Sequence, residues 1–284
     1  MHDVVRDIAI WIASKLEEGC GSVIKSQLGL TRIRNEHLLK SARRLSFMYN
    51  KIHTVPAEFV TECPLASTLL LQGNYLEYIP DTFLQAFRSL TVLDLSVCRI
   101  KSLPVSLNEL VELRALILSK CVNLEELPPV EGLGKLQVLD CSGTIIKRLP
   151  EGMNGLTSLR ELDLSQIRSS STRIRVGDMA KLANLEILKM SRGTGQWVLN
   201  GKVGCQGRTP FEEMLLLERL IVWNIDFESI PCIAPPIDVA LIHGIKKFNK
   251  FTIRFGAHFD SIYTLYSGSH VILKDHHFSG EWIG

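Results

Sequence analysis

Leu90, Leu113, Leu136 and Leu159 recur at a constant step of 23 residues (113−90, 136−113, 159−136). Each opens a Leu-x-x-Leu-x-Leu block, with Cys141 standing in for one leucine. Behind the blocks run five stretches that all end in proline: Lys51-Ile-His-Thr-Val-Pro56, Tyr75-Leu-Glu-Tyr-Ile-Pro80, Arg99-Ile-Lys-Ser-Leu-Pro104, Val122-Asn-Leu-Glu-Glu-Leu-Pro128 and Ile145-Ile-Lys-Arg-Leu-Pro150. A fixed period of this length means that one small unit is copied, and no single copy is large enough to bury its own leucines. The copies have to stack.

The step and the Leu-x-x-Leu-x-Leu pattern are those of leucine-rich repeats, whose units run roughly 20–29 residues. Within Leu90-Thr-Val-Leu-Asp-Leu-Ser, the alternation of Leu93 and Leu95 with Val92, Asp94 and Ser96 is a strand with one buried and one wet face. The fold class expected is therefore α/β: a leucine-rich-repeat solenoid, horseshoe-shaped, with a parallel sheet on its concave face. Cys98, Cys121 and Thr144 fall at the turn position that usually carries Asn or Cys, where a side chain satisfies loop backbone groups. The seven cysteines follow the repeat, are odd in number and include no Cys-x-x-Cys, so neither disulfides nor a zinc site is expected. That usage points to a reducing, cytoplasmic setting.

Val4, Val5, Ile8, Trp11, Ile12 and Leu16 lie at helical spacing on one face, which predicts an amphipathic helix at the start of the chain. Asp3, Arg6 and Asp7 interrupt what would otherwise be a secretory leader. No segment reaches the roughly 20 apolar residues of a membrane span. Residues from about 19 to 40 are polar and mixed, so a linker or short extra elements are expected there. Three regions are expected: 1–40, the repeats over 41–232, and irregular, incomplete C-terminal repeats over 233–284. The period drifts after Leu164, to 26 (Leu159 to Leu185) and then to 32 (Leu185 to Leu217), by insertions expected to form surface loops. Past Pro231 the repeat fades, although Phe251, Ile253 and Phe255 suggest one more strand.

The net charge of +2 hides an uneven distribution. Residues 1–56 carry nine Lys/Arg and five Asp/Glu, residues 57–165 nine and fourteen, and residues 166–284 fourteen and eleven. An acidic middle argues against a nucleic-acid-binding stripe and for a protein partner. Gly195-Gln-Trp-Val-Leu-Asn-Gly-Lys-Val203 is one residue too long for a phosphate loop and has Val where Ser or Thr is needed. Adjacent His276 and His277 would point to opposite faces of a strand and chelate poorly. With no nucleophile elbow or His-Glu-x-x-His, no enzyme active site is expected and no metal site is assigned.

The candidate binding residues lie on the concave face. Asp94, Asp140 and Asp163 occupy equivalent strand positions and should align as an acidic row, beside a ladder of serines that includes Ser96, Ser142 and Ser165. Asp at this position is also common solvated filler. Ile117, Lys189, Arg219, Ile221 and Trp223 are read as exposed strand positions that vary the row, Arg and Trp being favoured interface anchors. Trp223 packed beneath the C-terminal segment is the alternative reading.

Met1-His2-Asp3 followed directly by the amphipathic helix, and then Ala42-Arg-Arg-Leu-Ser-Phe-Met-Tyr-Asn-Lys-Ile-His-Thr-Val-Pro56 opening an array of Leu-Pro repeats, resembles the plant intracellular NB-LRR disease-resistance receptors of the coiled-coil class. The resemblance covers nearly the whole chain. It implies that residues 1–40 are the C-terminal remnant of a winged-helix/NB-ARC domain, and that His2 would contact the phosphates of ADP with Asp3 supporting the local fold. A hydrogen-bonding imidazole beside a diphosphate is physically sensible. It also implies that the repeats hold a nucleotide switch off until a pathogen cue arrives, so the partners are the receptor's own nucleotide-binding domain or host and pathogen proteins. The family's cofactor is ADP or ATP. The phosphate loop and magnesium-binding acid are not found in this sequence, so the chain is expected to bind no nucleotide by itself. The competing expectation is a free-standing intracellular leucine-rich-repeat scaffold.

Overall fold

The computed structural model describes residues 21–55, 62–168 and 182–190, residues 217, 219 and 220, and three further strands at 222–227, 250–255 and 264–266. Eleven strands form among the described residues, four of them from the Leu-x-x-Leu-x-Leu blocks. They are β1 (Ser22–Ile24), β2 (Arg44–Ser46), β3 (Thr68–Leu70), β4 (Val92–Asp94), β5 (Ala115–Ile117), β6 (Val138–Asp140), β7 (Glu161–Asp163), β8 (Ile187–Met190), β9 (Val222–Phe227), β10 (Lys250–Phe255) and β11 (Thr264–Tyr266). The eleven described strands form one sheet in chain order. Pairing is parallel from β1 to β10, and β11 alone runs antiparallel to its neighbour. The expected solenoid with a parallel sheet is the observed fold.

Register explains why the repeat is copied. Leu45, Leu69, Leu93, Leu116, Leu139, Leu162 and Leu188 are direct partners across seven strands, and each is buried. A buried leucine contributes about 2 kcal/mol, and here the burial is provided by the leucine above and the one below. The same core holds Phe47, Phe83 and Phe87, the last two in edge-to-face contact at 5.2 Å.

The prolines set the other side of each turn. Pro80 and Pro104 sit at φ −71° and −70° in extended backbone, and each leads into a short helical segment, α1 (Asp81–Gln85) or the 3-10 turn Val105–Glu109. Proline's fixed φ and missing N–H suit the position before a helical turn. The Asp81 carboxylate accepts from the Ser106 backbone N–H at 2.8 Å, tying one such segment to the next. With only five residues in α1, this outer side is far thinner than the strand side.

The sheet starts earlier than the boundary at 41 suggests. β1 lies within the stretch read as linker, and it pairs with β2 residue by residue from Ser22↔Arg44 to Ile24↔Ser46. Of its three residues only Val23 is buried, and no leucine flank marks it, so the repeat pattern had nothing to register. The strand suspected around Phe251 is present as β10. The amphipathic helix expected before residue 20 falls outside the described residues.

Candidate protein-recognition surface

The concave face is built from two adjacent rows of strand side chains. One runs Val92, Ala115, Val138, Glu161 and Ile187; the other runs Asp94, Ile117, Asp140, Asp163 and Lys189. All ten are partly exposed, while the leucine row between them is buried. The period of two along a strand makes this alternation unavoidable once the leucines face inward. Asp94, Asp140 and Asp163 thus do share one line, interrupted by Ile117 and ended by Lys189.

Each aspartate also closes its own turn. Asp94 Oδ1 accepts from the Ser96 N–H at 2.9 Å and from its hydroxyl at 2.6 Å. Asp140 and Asp163 accept from the N–H groups of Ser142 and Ser165, both at 2.9 Å. Asp followed by Ser two residues later is a turn-forming pair, so the row has a structural task beside any binding role. Burial pushes the Asp140 carboxyl up, against hydrogen bonds from Ser142 that favour its charged form. Lys189 donates to Glu161 at 2.6 Å and lies 3.5 Å from Asp163. Burial opposes its charge, but the pull of Glu161 and then Asp163 outweighs that and raises its pKa. Among the described residues no cation lies within ion-pair distance of Asp94 or Asp140, so the unneutralised charge sits mid-face.

The remaining sequence candidates fall elsewhere. Trp223 pairs with Leu188 and therefore occupies the leucine row's register position, while Asn224 takes the concave position across from Lys189. The slip came from anchoring the repeat on Leu217. The Leu220 N–H bonds the Leu217 carbonyl as that of Leu185 bonds Leu182, so Leu220 is the true equivalent of Leu185. The step there is 35 residues (223−188) rather than 32. Arg219 is exposed in the turn before β9, not on the strand. Ile221, His2, Asp3 and the pair His276 and His277 lie outside the described residues. Glu161 was missed, because its partner Lys189 is 28 residues away and is set beside it only by a lengthened repeat.

The turn ladder is Asn50, Asn74, Cys98, Cys121 and Thr144. Burial drives the Cys98 and Cys121 thiols up to about 11 and about 12. Cys63, Cys98, Cys121 and Cys141 are buried thiols, and the last three are free of disulfides. Among the described residues no group of three or more His, Cys, Asp or Glu is placed to hold a metal, and no helix is long and apolar enough to cross a membrane.

A parallel solenoid with a recurring buried leucine on each strand and a capped turn after it defines a leucine-rich-repeat protein. The family model of the leucine-rich repeat region matches residues 41–203, and the chain belongs to that family. Disease resistance protein At4g27190 of Arabidopsis thaliana is 39% identical over 262 residues, 91% of this chain and 26% of the relative. Probable disease resistance protein At4g27220 of the same plant is 45% identical over 78% of this chain and 24% of its own length. The chain thus spans about a quarter of these relatives, and the resemblance to the repeat region of plant disease-resistance receptors holds. Among solved structures, the TLR13–ssRNA13 complex superposes with a TM-score of 0.63 at 18% identity, covering 80% of this chain and 31% of that one. Internalin C2 from Listeria monocytogenes gives 0.55 at 19%, covering 78% and 84%. At such identities these neighbours show the fold alone.

Proposed function

We propose that this chain is the recognition and restraint part of a plant disease-resistance receptor, working in the cytoplasm by binding rather than by catalysis. The observation that carries the reading is the 39% identity to a disease resistance protein over nine-tenths of the chain, joined to a concave face that sets an aliphatic row beside an acidic one. Such a face suits a partner surface of Lys or Arg interspersed with aliphatic side chains. The receptor's own nucleotide-binding module is the first partner, and a host or pathogen protein the competitor that displaces it. A partner with different affinity for the held and released states is what would bias such a switch. The ADP contact that the resemblance assigns to His2 and Asp3 falls outside the described residues, and the repeats' share of the work is to hold the module.

The test is a pull-down of this chain against a separately expressed nucleotide-binding module from the same source, repeated with Asp94, Asp140 and Asp163 all changed to Asn. Binding that weakens at least tenfold in the triple variant supports the clamp. Unchanged binding moves the contact off the concave row, and no binding by the parent chain favours a free-standing scaffold.

A further inference from the structure

A second surface lies where the chain leaves the strands, on the edge of the solenoid formed by the residues just before and after the turn ladder. Tyr49, Tyr75, Val97 and Val122 are 52%, 38%, 49% and 46% exposed there. They are not loose side chains. The Tyr75 ring meets the His53 ring in a tilted contact, centroids 5.2 Å apart, and carries the Arg99 guanidinium 4.6 Å from its centre. The Tyr49 ring lies across Gly73 of the next turn so closely that a Cβ there would sit 2.4 Å from it, and its hydroxyl accepts from Gln72 at 3.3 Å. These aromatics are held in place before anything binds them, which lowers the ordering cost of an interface.

Two further observations point to a partner and to its charge. Val97 is held at φ +57°, at a turn position where the neighbouring units carry Gly73, Lys120 and Gly143. A β-branched residue in the left-handed region is a genuine outlier, and a side chain that is half exposed adds little to the core in return. Lys51, Arg99 and Lys120 stand just after or before the turn ladder in their own units, none with a carboxylate in ion-pair reach among the described residues, whereas Lys101 is matched by Glu77 at 3.1 Å. The edge is therefore cationic, aromatic and aliphatic together.

We propose that this edge, from Tyr49 through the His53–Tyr75–Arg99 cluster to Val122, docks an acidic, apolar-containing segment of a partner protein. Tyr and Arg anchors are what buried interface centres favour, and the three unmatched cations call for carboxylates on the partner. Single-stranded nucleic acid would also stack on Tyr75 and pair with the cations. The exposed Val97 and Val122 offer it nothing. This surface is separate from the concave face and does not depend on the clamp proposed for it.

The experiment is fluorescence anisotropy of the full chain with four labelled probes: a twelve-residue peptide of alternating Glu and Leu, its Gln/Leu and Lys/Leu counterparts, and an oligouridylate. Saturable binding is expected for the Glu/Leu peptide, weakened at least tenfold by Arg99→Glu and by Tyr75→Ala but less than twofold by Asp94→Asn with Asp140→Asn. Both edge residues are surface-exposed, and unchanged circular-dichroism melting verifies that each variant folds. Equal binding of the Gln/Leu peptide, indifference to Arg99→Glu, or binding by none of the probes overturns the proposal. So does a preference for the Lys/Leu peptide or the oligouridylate, or self-association of the chain by sedimentation that Tyr75→Ala abolishes.

Discussion

Asn50 and Asn74 close the early turns of the solenoid with amide networks, whereas Cys98 and Cys121 close the later ones with weakly bonding thiols and Thr144 with a hydroxyl. Asn50 accepts from the N–H groups of Leu28 and Leu30 at 2.8 and 3.1 Å and donates to the Lys25 and Phe47 carbonyls at 2.7 and 3.0 Å. Asn74 accepts from Ile52 and donates to Phe47 and Leu71. The Cys98 thiol donates to the Leu71 carbonyl at 3.4 Å and that of Cys121 to the Leu95 carbonyl at 3.1 Å, with backbone N–H groups of Gly73 and Asn74, and of Cys98, turned to the respective sulfurs, while the Thr144 hydroxyl donates to the Cys141 carbonyl at 2.7 Å, within its own turn. The same position in the repeat is thus polar glue at one end and mainly apolar filler in the middle. Because each unit touches only its neighbours, such local differences are felt as local stability.

The largest effect should come from removing the glue. Asn74 is buried, and Asn74→Ala leaves two carbonyls and one N–H without their partner, each costing about 1–3 kcal/mol. A loss of about 3 kcal/mol or more is expected, against about 1 kcal/mol for Cys98→Ala, read from denaturant midpoints at a common slope. Equal losses would erase the contrast between the two kinds of turn.

Alkali should separate them next. Folding raises the Cys98 and Cys121 pKa values from 9.0 to about 11 and about 12, so their contribution is complete below pH 9 and is lost as pH rises through the folded values. Above pH 9 each thiol should remove about 1 kcal/mol per pH unit. Melting temperatures between pH 8 and 11 should fall less steeply for the Cys98→Ser, Cys121→Ser double variant than for the parent chain. Parallel curves would mean that other groups carry the alkaline transition.

A smaller test concerns the residue before the ladder. Val97→Gly relieves the left-handed backbone and should raise stability by about 1 kcal/mol. Gly73→Ala, at φ +70° and against the Tyr49 ring, should lower it by about as much or more. The first gain sharpens the edge proposal too, since it would show that the fold alone does not want valine there.

How much of this was visible beforehand follows the period. From β2 to β7 the steps between partner leucines stay near 23, and the concave row of Asp94, Ile117, Asp140 and Asp163 could be placed from alternation alone. Where the insertion before Leu217 broke the period, Leu217 and Leu220 both fitted the pattern, and Trp223 was assigned the register of the concave row whereas it pairs with Leu188. The Tyr75–Arg99 stack lay hidden for another reason: its members are 24 residues apart and meet only when one turn is laid on the next. The serine caps on the aspartates were legible as Asp-x-Ser, but alternation explained the aspartates first.

The smallest predicted change bears on the acidic row itself. In Asp140→Asn the side-chain oxygen still accepts from the Ser142 N–H, so only the charge is removed. Because burial raises the folded pKa of Asp140 above 3.8, ionisation is disfavoured in the fold, and the stabilising difference present at low pH is lost as pH rises through the folded value. The variant should therefore match the parent chain below about pH 4 and exceed it slightly at pH 7, by a few tenths of a kcal/mol, since the carboxylate is partly solvated. A loss of more than about 1 kcal/mol at pH 7 would mean that attraction to Lys189 outweighs burial. The row would then be a charge network that stabilises the middle turns, in place of the asparagines they lack.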